Sequence, residues 1–194
     1  MRAFIAVNLD ENLRRCVAET QEKLRATGAD VKWVKPESIH LTLKFLGWVD
    51  DARLPAVGEA VSAALKGVAP FRLRLEQVGG FPTATAPRVI WVGVKEGAQE
   101  LSGLAERVEA ALEPLGFQRE ERAFSPHVTV GRHRTPSGRQ ALAAMMQQER
   151  ERSFGEMEVR RVELMRSDLR PTGAIYTSQR AFELTGAPAG QGEK

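Results

Sequence analysis

Apolar and polar positions along this chain follow two periods, and the switches between them outline its elements. Phe4–Leu9 reads as a strand. Asn12–Ala26 has helical spacing through Leu13, Val17, Thr20 and Leu24, with Asp10 as its N-cap and Gly28 as its stop. Val31–Val34 is a short strand, and Pro36 separates it from the strand Ile39–Leu46, which Gly47 ends. Leu54–Leu65 is a second helix, Phe71–Leu75 alternates strictly as a strand with one wet face, and Gly79–Pro82 reads as a turn before the loop Thr83–Pro87. The second half repeats the succession: strand Val89–Val94, helix Ala98–Leu115, loop Arg119–Arg122, strand His127–Gly131 and helix Gly138–Gln148. Two long strands, Met157–Met165 and Ile175–Leu184, joined by a turn at Pro171-Thr172-Gly173, close the chain.

Within this repetition one detail recurs. Ile39-His40-Leu41-Thr42-Leu43 and Pro126-His127-Val128-Thr129-Val130 both read His, apolar, Thr, apolar. Alternate side chains of a strand share a face, so each half presents an imidazole beside a hydroxyl while Leu41, Leu43, Val128 and Val130 pack behind. A single His-x-Thr in a strand is an ordinary half-exposed pair. All three histidines carry a Thr two places on, but in His133-Arg134-Thr135 the residue between is charged, and only the other two copies alternate with apolar residues. With ten threonines in the chain, random placement gives that spacing at two or more of three histidines on the order of 1 time in 100. The two copies lie 87 residues apart. The pattern predicts an α+β fold of two pseudo-symmetric lobes, roughly 1–82 and 88–185, each an antiparallel sheet backed by helices, with one His-Thr pair on each wall of the cleft between them. The boundary falls near Thr83–Pro87, the last strand is free to cross back to the first lobe, and 186–194 reads as a small-residue flexible tail.

Length and composition narrow the setting. At 194 residues the chain suffices for a sizeable core. Its opening is too short for the apolar region of a secretory signal, and no stretch reaches the ~20 apolar residues of a membrane span. Cys16 is alone, which removes a disulfide framework, fits a reducing cytoplasm, and, from its place on an amphipathic helix, reads as a small core-side residue. Net charge is +3, with 21 Arg against 7 Lys, a balance compatible with a nucleotide or nucleic-acid partner. Nothing in the sequence calls for an obligate protein partner, and a monomer is expected.

Two facing histidines can serve as acid and base in one turnover, and neighbouring hydroxyls can donate to developing anionic oxygens. Those parts suit in-line displacement at a phosphodiester. Each motif offers one imidazole and no Asp, Glu or Cys to complete a metal shell, so neither metal nor cofactor is expected. The segments Val31–Gly47 and Phe124–Arg132 resemble the signatures of the two-histidine phosphoesterase superfamily, and more narrowly its RNA 2′,3′-cyclic phosphodiesterases, also called 2′-5′ RNA ligases. Arg2–Ala6 and Leu164–Tyr176 are similar to that family too. The resemblance implies a bilobal fold with a pseudo-twofold axis. It also implies hydrolysis of a terminal 2′,3′-cyclic phosphate to a 2′-phosphate, with reversible ATP-independent 2′-5′ joining in some members. By position, His40 becomes the proton donor and His127 the acceptor, while Thr42 and Thr129 bind phosphate. Phe45 and Arg132, five residues after the two histidines, become candidates for base stacking and phosphate pairing. Strict alternation, however, puts both on the face opposite the histidines, and Phe45 reads equally well as a core aromatic; a bulge at Gly131 would turn Arg132 into the cleft. Phe4 and Tyr176 are candidates for the cleft wall that fit the core equally well. His133, whose Thr135 follows across a charged residue and not an apolar one, reads as an exposed loop histidine. Two other readings compete: a phosphodiesterase for another 2′-5′ or cyclic nucleotide, and a non-catalytic RNA-binding module.

Overall fold

In a computed structural model that describes residues 1–170 and 173–187, nine strands and four helices build the expected α+β architecture. The strands are β1 (Arg2–Asn8), β2 (Val31–Trp33), β3 (His40–Trp48), β4 (Phe71–Phe81), β5 (Val89–Glu96), β6 (His127–His133), β7 (Ser153–Val159), β8 (Arg161–Arg170) and β9 (Gly173–Glu183). The helices are α1 (Glu11–Arg25), α2 (Leu54–Leu65), α3 (Ala98–Leu112) and α4 (Arg139–Gln148). The strands form one antiparallel path, β7-β4-β5-β6-β3-β1-β8-β9, with β2 added to β6. Helices α2 and α3 back the β3-β1-β8-β9 half, whereas α1 and α4 back the β6-β5-β4-β7 half. Most buried apolar side chains join one core between helices and sheet, and Phe4, Ala6 and Met165 form a small second cluster, packed against Tyr176, on the helix-free face.

Several sequence expectations are corrected here. The lobes are not the chain's halves, 1–82 and 88–185. Strand β4 from the first half lies between β5 and β7, while β8 from the second half lies beside β1, with β9, the last strand left free to cross back, outside it. Met157–Met165 is not one strand. The chain leaves one edge of the sheet at Val159 and starts again beside β1 at Arg161, and no Gly or Pro marks the crossing at Arg160. Nor is Gly79-Gly80-Phe81 a turn, because β4 runs through it in register with Trp91-Ile90-Val89. The turn at Pro171-Thr172 and most of the expected tail, 188–194, lie outside the described residues.

The local sequence accounts for the framework. Asp10 accepts the Leu13 amide at 2.8 Å and so caps α1, whose Leu13, Val17 and Leu24 are buried. In β3 the core side includes a cation: Lys44, 2% exposed, reaches Glu109 of α3 at 2.5 Å and the carbonyl of Gln118 at 2.8 Å. No helix among the described residues is long and apolar enough to cross a membrane.

Removing one partner of a buried ion pair leaves the other charge desolvated. Glu109→Leu is therefore expected to lower unfolding free energy by about 3–5 kcal/mol, and Lys44→Met/Glu109→Leu together to recover most of it. Denaturant unfolding of both variants checks this, and a double variant no more stable than the single one would count against it.

Candidate active site

The two His-x-Thr strands meet at one point. β3 and β6 pair antiparallel at Leu41 and Val128 alone. Continued by one residue on each side, that register sets His40 across from Thr129 and Thr42 across from His127. The two histidines are then diagonal neighbours, about 7–8 Å apart along the backbone at such a crossing.

Each ring is fixed in the same way. His40 donates from Nδ1 to the carbonyl of Ser38 at 2.8 Å, and His127 from Nδ1 to the carbonyl of Ser125 at 2.7 Å. A carbonyl only accepts, so Nδ1 carries the proton in the neutral ring and Nε2 is left for chemistry. At His40 that Nε2 accepts from the Thr42 hydroxyl at 3.0 Å. An aromatic edge also meets each imidazole: Tyr176 on His40 at 5.0 Å and 88°, Phe81 on His127 at 5.2 Å and 85°. Phe4 lies against His40 at 4.8 Å and against Tyr176 at 5.0 Å. Phe4 and Tyr176 thus line the site and belong to the small second cluster, not to the main core.

Strict alternation fails at matching points of the two strands. Ile5 pairs with Lys44 but Ala6 with Thr42, leaving Leu43 as an extra residue; Ile90 pairs with Gly131 but Trp91 with Thr129, leaving Val130 extra. Each bulge buries two successive residues, Leu43 with Lys44 and Val130 with Gly131. It also brings Phe45 and Arg132 onto the face of the histidines. Phe45 is 60% exposed and 6.1 Å from Phe4, so it is not a core aromatic. On the β6 side, the carbonyl of Val130 takes the Gln21 amide at 2.7 Å and the Val34 N–H at 3.0 Å. A Cβ on Gly131 would come within 2.7 Å of Val31 and 2.9 Å of Trp33 on β2. His133 is not a loop residue, since it ends β6 and its Nε2 meets the carbonyl of Ser137 at 3.2 Å.

Burial pushes the His40 pKa below the usual histidine value, partly offset by its bond to Ser38. Burial raises that of Tyr176, and the charges of Arg132 and Arg2 act against the rise; the phenol stays protonated at neutral pH. Among the described residues no three His, Cys, Asp or Glu side chains converge as metal ligands would.

A family model described as the 2′-5′ RNA ligase superfamily matches residues 13–171. This chain belongs to that superfamily. It is 40% identical over 184 residues to a Methanothermobacter thermautotrophicus protein named RNA 2′,3′-cyclic phosphodiesterase, covering 95% of this chain and 99% of that protein. A protein of the same name from Archaeoglobus fulgidus is 40% identical over 183 residues, covering 94% and 100%. Among solved structures, TT0787 of Thermus thermophilus superposes with a TM-score of 0.80 at 33% identity over 96% of this chain and 99% of that one. Escherichia coli LigT complexed with 3′-AMP shares the fold, with a TM-score of 0.76 at 22% identity over 95% and 98%.

In this superfamily member two site residues escape sequence reasoning. Phe81 hides behind Gly79-Gly80 and Pro82, which read as a turn. Trp91 reads only as one more apolar strand position. The usable signal is Gly79 itself: a Cβ there would lie 2.2 Å from the Trp91 ring, so the glycine marks a place where the indole covers the backbone.

Nitrogen NMR of the imidazoles should find both His40 and His127 in the Nδ1-protonated tautomer when neutral. His40 should titrate below the ordinary value of 6.5. A His40 midpoint at or above that value would contradict the dominance of burial.

Proposed function

We propose that this chain hydrolyses the 2′,3′-cyclic phosphate at RNA ends to a 2′-phosphate by acid–base catalysis between His40 and His127. The observation that carries the reading is the pair of imidazoles, each locked at Nδ1 by the carbonyl two residues before it, which leaves the unprotonated Nε2 of both for proton transfer, that of His40 held by the Thr42 hydroxyl at 3.0 Å. A binding module has no use for two rings fixed in matching tautomers. The names of the relatives from Methanothermobacter and Archaeoglobus support the choice of substrate.

In the proposed reaction a water oxygen attacks phosphorus as His127 Nε2 takes its proton. The bond from phosphorus to the 3′ oxygen breaks in line, and protonated His40 Nε2 gives that oxygen its proton. The products are a 3′-hydroxyl and a 2′-phosphate, and a second proton exchange with solvent resets the rings. Thr42 and Thr129 donate to the non-bridging oxygens, and the Arg132 guanidinium balances their charge. Phe45 offers its exposed ring to the base. With a 5′-hydroxyl in place of water the same steps form a 2′-5′ link. The strain of the cyclic ester drives that exchange, so no nucleoside triphosphate is needed.

Burial holds free His40 neutral, whereas the proposed role needs it charged. A bound phosphodiester anion supplies the opposite charge that raises its pKa again. The alkaline limb of kcat/KM, which reports the free enzyme, is therefore expected below the ordinary histidine value, and that of kcat above the kcat/KM limb. Coincident limbs would argue against His40 as the acid.

The direct test is incubation with a nucleoside 2′,3′-cyclic phosphate and with a short RNA ending in one, in EDTA, followed by phosphorus NMR. Wild type should give the 2′-phosphate from both. His40→Ala and His127→Ala should each lose at least about a hundredfold in kcat. A 3′-phosphate product, or turnover that survives either substitution, would defeat the mechanism.

A further inference from the structure

The helix-free face of the sheet continues past Phe45. Beyond the Leu43 bulge Phe4 meets Phe45, and a second irregularity, at Leu46, then sets Ala3 against Gly47 and Arg2 against Trp48. Arg2, Phe4, Ala6 and Asn8 therefore share their face with Trp48, Phe45, Thr42 and His40. On the far side of β1, Arg2 pairs with Ser167 of β8, and Ser167 with Tyr176 of β9. The result is a row, Trp48–Arg2–Ser167–Tyr176, running across four strands beside the catalytic row.

Trp48 is 78% exposed, more than any other large apolar side chain among the described residues. With Phe45, 60% exposed on the same face, it makes a contiguous exposed aromatic patch, the kind of surface that marks a binding site. The surroundings of Trp48 say what binds. It follows Phe45 on the same strand and face, two strand positions further along, about 7 Å away. That is the advance of one nucleotide in an extended single strand. Directly across from Trp48 on β1 is Arg2, exposed on the same face. The two acidic residues that follow are engaged elsewhere: Asp50 accepts the Ala52 amide at 3.0 Å, and Asp51 faces the N-terminal ammonium at 3.2 Å. The groove on the other flank of His40, about 560 Å³ between Ser38, Asn8 and Tyr176, is a poorer path for a polyanion, since five carboxylates line it against three arginines.

We propose that Trp48 and Arg2 form a second nucleotide subsite, in which the base preceding the cyclic end of a single-stranded RNA stacks on the indole while its phosphate meets the guanidinium. The proposal rests on the reading of the site given above and refines its substrate: an oligonucleotide end in preference to a free cyclic mononucleotide. Base stacking on aromatic side chains is tolerant of sequence, so the subsite selects for length, not for a particular base.

The test compares adenosine 2′,3′-cyclic phosphate with an oligoadenylate ending in the same group. Wild type should show the lower KM for the oligomer. Trp48→Ala should raise the oligomer KM roughly tenfold with kcat little changed, and leave the mononucleotide constants alone. Trp48→Phe should keep most of the preference. Arg2→Gln should reduce the slope of log KM against log salt for the oligomer by about 0.7. An oligomer KM unmoved by Trp48→Ala, or an equal loss for both substrates, overturns the subsite. Fluorescence anisotropy of a labelled oligoadenylate ending in a 2′-phosphate decides independently of turnover: Trp48→Ala should weaken binding roughly tenfold, and unchanged binding overturns the subsite. A wild type that turns over neither substrate refutes the cyclic phosphodiesterase reading, and the binding arm then judges the subsite on its own.

Discussion

A single point of pairing, Leu41 against Val128, makes one site out of two strands. Everything chemical in the molecule is positioned from it. The residues on either side of that pair are the two histidines and the two threonines, and antiparallel geometry sets each imidazole across from the other strand's hydroxyl. Away from the crossing each strand turns to its own neighbour, β3 to β1 and β6 to β5 and β2. The cleft is thus a seam in one sheet. Its width is set by backbone pairing and not by the docking of two separate bodies.

The bulges give the seam its second layer. An extra residue at Leu43 and another at Val130 shift the phase of each strand by one, so that a position which alternation would bury faces the substrate instead. The two strands meet the cost differently. On β3 the displaced core position holds Lys44, neutralised by Glu109. On β6 it holds Gly131, covered by Val31 and Trp33. Pseudo-symmetry in the backbone has therefore outlasted symmetry in the side chains behind it.

That difference explains what was legible in the sequence. His40, Thr42, His127 and Thr129 obey the two-residue period, and pattern alone finds them. Phe45 and Arg132 do not, because a bulge is a property of two strands and leaves no periodic trace in one. Their place comes from family resemblance. Lys44 is the trace that was available, a charged residue inside an apolar run with no obvious reason to face solvent. The fold class was readable from the repeated order of elements, but their sorting into lobes was not. Hydrophobic pattern shows which face of a strand is buried and is silent on which neighbour buries it. Hence Met157–Met165 reads as one strand, though Arg160 carries the chain from one end of the sheet to the interior of the other half.

The exchange of elements between lobes shapes how the molecule comes into being. Strand β1 lies between β3 and β8, and its second neighbour is made only after residue 160. Helix α1, synthesised next, packs on β7, which is also late. Neither lobe can close from a nascent N-terminal half, and the many distant contacts favour slow, late, concerted folding over growth from one end. Cutting the gene between the two motifs would not yield two small working lobes. Each fragment would hold strands whose partners were on the other, and catalytic competence would appear only once β8 and β9 were made.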